Sequence, residues 1–594
     1  MGYLKKRVDN RSKKIFFKRG KANALYFDLI IHSLTGYDLD YIEKEIDKND
    51  HEVFLNEYRR IVLVRISNIL SFQIKNSINL KYLGLLKKLL FVLINDLISA
   101  KAAIGADFAM IEIYFALTNI KSLIKEQTYN EYISLLRDLN PYECYAINCR
   151  NTSIKEQQNF VIYNIVGEYL RSLLTGFDAF EYINENWEVQ KTKFNNSGMY
   201  KDPNNPMVYD LSVRAHLALM LQLGYKGKLK REIEDILIKS SMITLHYIST
   251  AYVFPYGGRS NSYNMNEALH ASLCEYYANV YYKKGEYKIA GAFKNSARKS
   301  IEELKRYKGH HIKNFFDIHS NFGCEKYGTY EGYMVTTGCF MEMGYTIANK
   351  KIKEYTSPST YGQYIFKTTD DFHKVFANNR KYFIEIDYNG DLDYEGSGLG
   401  RIHKKDIPIE LALSMPFSNK PKYKLGEYKQ EQALALGIGW YEKEKEVYLA
   451  EQTFIKNAYV HTICENKRKV SFKITYYLKQ GKIIETYTIN KKGVHVKSEC
   501  DFAKVFYHIP ILINNGKDTT VQKYRYNGFK NYLLNYVYEA NWDNNLSCTL
   551  KSEYIYNRSG IYKSLIVKGI SKNIAITFKL KKERTKNEKT KKAK

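Results

Sequence analysis

The chain has 594 residues, 45% of them hydrophobic and 26% charged, with a formal net charge of +28. That length and apolar content exclude a mainly disordered polymer and leave room for two or more cores. The charge implies attraction to polyanions (nucleic acid, anionic lipid or an acidic polysaccharide), but the basic residues are scattered. No dense Arg/Lys block with interleaved aromatics and no zinc-finger spacing occurs, which argues against a specific nucleic-acid module.

Met1-Gly2-Tyr3-Leu4-Lys5-Lys6-Arg7 leads into polar residues rather than an apolar stretch, so a secretory signal is not expected. Eight cysteines in so long a chain make no disulfide framework, and Cys144 and Cys149 are the only close pair. The expected compartment is a reducing cytoplasm. Leu83 to Ile98 is the most apolar segment, but Lys87, Lys88, Asn95 and Asp96 interrupt it. It predicts a buried helix rather than a membrane span.

From about residue 20 to 350 apolar residues recur at helical spacing. Ile162, Val166, Tyr169 or Leu170 and Leu173 share a face that Gly176 ends. Leu211, Arg214, Leu217 and Leu221 continue the pattern after Asp210, a candidate N-cap, and Ile289, Phe293, Ala297 and Leu304 mark a further helix. Near residue 356 the period changes to two. Tyr382 to Asp387 alternates, as do Ile483, Glu485, Tyr487 and Ile489, with hairpin turns read at Gln480-Gly481 and Lys492-Gly493. Helices first and strands second predict a helical bundle or toroid over residues 1–355, then an antiparallel β-sandwich over 356–580. The lysine-rich run 581–594 is expected to be a disordered tail.

The segment Pro255-Tyr256-Gly257-Gly258-Arg259-Ser260-Asn261-Ser262-Tyr263-Asn264-Met265-Asn266-Glu267 carries most information. Two glycines permit a tight turn just before a helix, where free backbone N–H groups favour an anion and Arg259 can grip a carboxylate in two-pronged fashion. Equally, Asn264 and Glu267 match a capping box that needs no ligand. In the helix that follows, Glu267 and His270 are neighbours at i, i+3, and His270, Cys274 and Tyr277 share a face. Three other stretches are polar enough to line a site: Gly198 to Asp210, Cys324 to Tyr330, and Gly398 to Lys404, whose Arg401, His403 and Lys404 follow a bend. With 54 tyrosines in the chain, no single tyrosine near a site is informative.

Gly257-Gly258-Arg259-Ser260 and Asn266-Glu267-Ala268, with Gly198-Met199-Tyr200 upstream and Gly398-Leu399-Gly400-Arg401-Ile402-His403-Lys404 downstream, resemble the heparinase II/III-like family. That family is related to polysaccharide lyases with an α/α toroid and a C-terminal antiparallel β-sheet domain. The resemblance spans roughly residues 145–450. It implies β-elimination beside a uronic acid in an acidic oligosaccharide or polysaccharide; some relatives of this fold carry a structural metal, but no ligand cluster in this sequence marks one, and no cofactor is expected. Mapped by position, Arg259, Asn266 and Glu267 would bind or neutralise the carboxylate, with Asn261, Tyr327, Arg401 and Tyr200 also contacting substrate. His270 or His403 would be the base, and Tyr330 or Tyr327 the acid. The family motif often carries a histidine where this chain has Asn261-Ser262-Tyr263-Asn264-Met265. Tyr263 then replaces it, or the reaction is lost. The alternatives are therefore a non-catalytic glycan-binding or glycan-assembly protein, or a toroid glycoside hydrolase. The lyase reading requires a β-domain loop with His403 to meet Arg259 in one cavity.

Overall fold

The computed structural model describes residues 2–15, 21–48, 55, 57–99, 105–149, 153, 156–454, 457–569 and 571–583. The longer helices in chain order are α1 (Gly2–Arg11), α2 (Lys21–His32), α3 (Leu39–Asp47), α4 (Glu57–Lys75), α5 (Leu83–Ser99), α6 (Ala106–Ile120) and α7 (Glu126–Arg137). They continue with α8 (Phe160–Thr175), α9 (Phe180–Gln190), α10 (Met207–Gln222), α11 (Lys230–His246), α12 (Met265–Lys283), α13 (Tyr287–Leu304) and α14 (Tyr330–Ile347).

Alternate helices build two layers. Helices α4, α6, α8, α10, α12 and α14 each pack on the next, and α14 returns to α4, closing a ring. Outside it, α5 lies on α4, α7 and α9 on α8, α11 on α10 and α12, α13 on α12, and α2 across α14 and α4. Burial shows why the sequence sorts them so. Helix α12 buries sixteen of its nineteen residues, from Met265 to Tyr281, because ring neighbours and the outer layer enclose it. Helix α7 buries only Tyr129, Tyr132, Ile133 and Leu136, one stripe facing inward. The helical half is thus an α/α toroid. Gly176 ends α8 in the left-handed region (φ 72°), as its position predicts.

Two local expectations change. Helix α10 begins at Met207 after Pro206, so Asp210 lies inside its first turn, where it accepts from Tyr200 N at 2.8 Å and pairs with Arg214. Leu173 is 48% exposed, so the buried stripe of α8 runs through Ile162, Val166 and Leu170.

The strands follow in three antiparallel sheets. The first is β1 (Tyr364–Lys367), β2 (Lys374–Asn378), β3 (Tyr382–Asp387) and β4 (Gly398–Lys404), paired in that order. The next strands are β5 (Gly437–Glu442), β6 (Lys445–Tyr448), β7 (Ala458–Glu465), β8 (Lys469–Leu478), β9 (Gly481–Asn490), β10 (Gly493–Cys500) and β11 (Val505–Asn514). The last are β12 (Val521–Arg525), β13 (Gly528–Leu533), β14 (Tyr536–Asn541), β15 (Ser547–Asn557), β16 (Gly560–Lys568) and β17 (Asn573–Lys582). They form an eight-stranded sheet, β12-β13-β14-β17-β10-β9-β8-β7, and a five-stranded one, β15-β16-β11-β5-β6. Leu478 pairs with Gly481 and Asn490 with Gly493, so both predicted hairpins close through two residues, one position earlier than read, with glycine opening the return strand. Lys581 and Lys582 end β17 rather than starting a tail, and residues 584–594 lie outside the described residues.

Strand β3 is buried along its whole length, which its alternation did not suggest. Tyr382, Ile384 and Ile386 join the core of the sheets, whereas Phe383 joins that of the helices. The four-stranded sheet is therefore the layer through which the two halves meet, and its helix-facing side carries Glu385 and Asp387.

Candidate functional site

One cleft of about 740 Å³ opens on the toroid. Ring helices supply Arg65 from α4, Phe108 from α6, Tyr163 from α8, Tyr209 and Ser212 from α10, and Tyr333 from α14. The turn before α12 supplies Arg259 and Ser260, the loop before α14 supplies Tyr327, and the β3–β4 connection supplies Tyr394. The sheet half thus does reach the cleft, but through Tyr394.

The Arg259 turn is held from several sides. Gly257 (φ +145°), Gly258 (φ +69°), Ser260 (φ +57°) and Ser262 (φ +66°) all have positive φ, and a Cβ on Gly258 would stand 3.0 Å from Pro206 Cβ. Met207 N donates to Gly257 O at 3.2 Å, and Asn261 Nδ2 to Gly258 O at 2.7 Å. Ser260 N donates to Glu325 Oε1 at 2.5 Å; Arg558 Nη2 reaches the same oxygen at 2.6 Å from the β15–β16 turn, and Tyr263 hydroxyl bonds Glu325 Oε2. A buried carboxylate shared by an arginine, a tyrosine and a backbone N–H fixes the turn.

Among the described residues Arg259 hydrogen-bonds through Nη2, to Asp202 Oδ2 and to Gln158 Oε1 at 3.4 Å. Its side chain is 21% exposed, while that of Asp202 is fully buried. The guanidinium lies 4.7 Å from the Tyr209 ring centroid and interacts electrostatically with Tyr209, Tyr327 and Tyr394. Ser260 Oγ is 2.9 Å from Tyr209 hydroxyl, and the Ser260 side chain also interacts with Tyr327. Burial, then Tyr209, Tyr333 and Glu325, push the Tyr327 pKa well up, so its hydroxyl keeps its proton although 47% of the residue is exposed. The result is one guanidinium flanked by two tyrosines in the cleft.

Of the residues given a catalytic or binding role from the sequence, Arg259 and Tyr327 line this cleft and the others do not. Glu267 forms no capping box: it accepts from Phe254 N at 2.8 Å and pairs with Lys313 at 2.6 Å, while Asn264 donates to His310 O. Asn266 Nδ2 donates to Ser260 O at 3.1 Å, so it braces the turn. His270 points to the outer layer, with Nδ1 3.0 Å from Ser300 Oγ, and burial pushes its pKa down to about 3. His403 does not share the cavity with Arg259, so the lyase reading in the form that needs His403 fails, and any elimination must be carried by the residues that do line the cleft; the His403 ring nitrogens meet Ser249 Oγ at 3.0 Å and Ser414 Oγ at 3.4 Å. The reason is register: His403 and Arg401 sit opposite Phe383 and Glu385, on the face of β4 pressed against the toroid. Arg401 donates to Phe254 O at 2.9 Å and Glu385 Oε2 at 2.8 Å.

Tyr263 is buried, stacked on Tyr333 at 3.9 Å, one layer behind the cleft wall. Tyr200 is buried too, its hydroxyl donating to Gln190 Oε1 at 2.6 Å. Tyr330 packs edge-on to His319, off the cleft. Arg65, Tyr163, Tyr209 and Tyr333 come together only when the ring closes, and Tyr394 only when the β3–β4 connection reaches the cleft, so no local pattern gives any of them a role. Among the described residues no His, Cys, Asp and Glu group is arranged to hold a metal, and no helix is long and apolar enough to cross a membrane.

The chain is similar in structure to heparinase III, at 9% identity and a TM-score of 0.47, covering 84% of this chain and 74% of that one. It is similar also to chondroitinase AC lyase (10% identity, TM-score 0.42, covering 96% of this chain and 84% of that one). A third similar structure is the endoglucanase CelQ from Clostridium thermocellum (8% identity, TM-score 0.28, covering 90% and 86%). The likeness is one of chain layout. No family model and no curated protein matches the sequence.

Proposed function

We propose that the protein is a lyase that cleaves a uronate-containing glycan by β-elimination in the toroid cleft. The observation that carries this is the Arg259 guanidinium in the cleft with Tyr209 and Tyr327 beside it. The proton on C5 of a uronate is scarcely acidic until the adjacent carboxylate charge is offset, and a fixed cation supplies that offset. Arg259 has Nη1 and Nε left for a carboxylate. A base takes the C5 proton, the electron pair becomes the C4–C5 double bond, and the C4–O4 bond breaks with O4 taking a proton from an acid. Tyr327, held protonated by burial, suits the acid, which leaves Tyr209 as the base. Tyr163, Tyr333 and Tyr394 offer flat faces to sugar rings.

Replacing either hydroxyl tests the assignment. Tyr327→Phe and Tyr209→Phe should each lower kcat roughly 10²–10⁴-fold with KM little changed. Unchanged kcat in both would remove the pair from the reaction. A second reading, glycan binding without cleavage, is favoured by one observation: among the described residues no histidine lines the cleft. Uronate glycans that bind the cleft and stay intact would support it.

A further inference from the structure

Beside the cleft runs an open groove of about 600 Å³. Its lining includes Lys326, Lys420, Lys424, Lys429, Tyr428 and a single acidic residue, Glu431. Lys326, Lys420 and Lys429 are exposed and form no ion pair among the described residues. Tyr428 is 47% exposed and lies face to face with Tyr556, centroids 4.4 Å apart and planes 12° from parallel. That stacking holds a flat aromatic surface at the groove wall.

Groove and cleft are built from the same two segments. Glu325 bridges antiparallel to Tyr423; Gly323 N donates to Lys424 O at 2.7 Å, and Lys424 N to Cys324 O at 2.7 Å. Lys424 Nζ donates to Gly328 O at 2.9 Å. On this ribbon the consecutive residues Lys326 and Tyr327 line the groove and the cleft respectively. Tyr394 lines the cleft and packs in one apolar cluster with Tyr423 and Leu425, both of which line the groove.

We propose that the groove is a second binding site for an acidic glycan, carrying the chain that extends out of the cleft. It rests on the cleft being a uronate site and adds that the substrate is a polymer rather than a short oligosaccharide. Four lysines facing one glutamate select an anionic ligand, and the stacked tyrosine pair favours a sugar ring over an unstructured polyanion. Spacing along the ribbon lets one chain touch both sites.

The test is the double variant Lys420→Ala/Lys429→Ala, with Tyr428→Ala alongside, in the full chain. Both lysines are exposed and unpaired, so folding should be preserved, and thermal unfolding checks it. Cleavage of hyaluronan and polygalacturonate is compared with that of their shortest cleaved oligosaccharides across salt concentrations. For the long chains kcat/KM should fall several-fold at low salt, and the slope of log affinity against log salt should drop by about two, one per lysine. The shortest substrates should be unaffected. Tyr428→Ala should weaken the long chains at all salt concentrations. Equal behaviour of variants and wild type on long chains overturns the groove and leaves the cleft reading standing. Should the wild type cleave neither polymer, binding of both to wild type and variants decides: weaker glycan binding by the double variant and by Tyr428→Ala supports the groove. Equal loss for single-stranded DNA of matched length would make it a general polyanion surface and overturn the proposal.

Discussion

Removing Arg259 should do two separable things. Its partner Asp202 is fully buried, held by Asn159 N at 2.9 Å and Asn159 Nδ2 at 3.3 Å besides the guanidinium. Burial raises the Asp202 pKa, and the Arg259 charge is the largest opposing influence. Breaking a buried ion pair by deleting one member costs about 3–5 kcal/mol, because the other charge stays behind uncompensated. Arg259 is one-fifth exposed and Asn159 keeps both its bonds, which places Arg259→Ala near the lower end, about 3 kcal/mol. Adding Asp202→Asn removes the stranded charge and should recover most of that stability. Turnover should behave differently: loss of the carboxylate neutraliser should cost at least roughly 10²–10³-fold, and Asp202→Asn should restore none of it. Urea unfolding and the rate of appearance of an ultraviolet-absorbing unsaturated product measure the two effects in the same samples. Full turnover in folded Arg259→Ala would refute the role of the residue. A variant as stable as wild type would refute the account of Asp202.

Buried carboxyls elsewhere set the pH dependence of stability. Glu342, on α14, is pushed up to about 8 by burial, and its Oε1 accepts from Asn119 Nδ2 at 2.9 Å. Its folded pKa exceeds the ordinary 4.5, so the folded state binds the extra proton, and stability falls as pH rises from about 4.5 to 8. Glu342→Gln should therefore gain on wild type by about 1.4 kcal/mol per pH unit across that window and level off above it. Glu395, in the β3–β4 connection, is likewise raised to about 8, by burial first, and Glu385 on β3 to about 7. Wild type should accordingly unfold at lower temperature at pH 8 than at pH 6, and parallel curves for wild type and Glu342→Gln would contradict the assignment.

The layout was legible because it is written in periods: 3.6 residues in the ring helices, two in the strands, and glycines at the α8 stop and the two hairpins. What escaped was everything set by partners distant in sequence. Asn264 and Glu267 have capping-box spacing, yet Lys313 and Phe254 N claim the carboxylate, and neither lies in the local pattern. The cations of β4 were read as reaching a ligand, but strand register turns Arg401 and His403 onto the toroid wall. Arg259 was legible since two glycines and a helix start flag an unusual turn. Of its tyrosine partners the family resemblance marks Tyr327 alone; among 54 tyrosines the others offer no contrast until ring closure and the β3–β4 connection bring them to the cleft. Glu325 and Arg558, which fix the turn, lie 233 residues apart.

The chemistry of the cut bond tests the central claim most directly. Wild type is incubated with a panel of uronate-containing glycans, and each new non-reducing end is examined by ultraviolet absorbance and mass. Elimination predicts a C4–C5 unsaturated uronate and no water added across the cleaved bond. Products with saturated ends and one added water would mean hydrolysis and contradict the account.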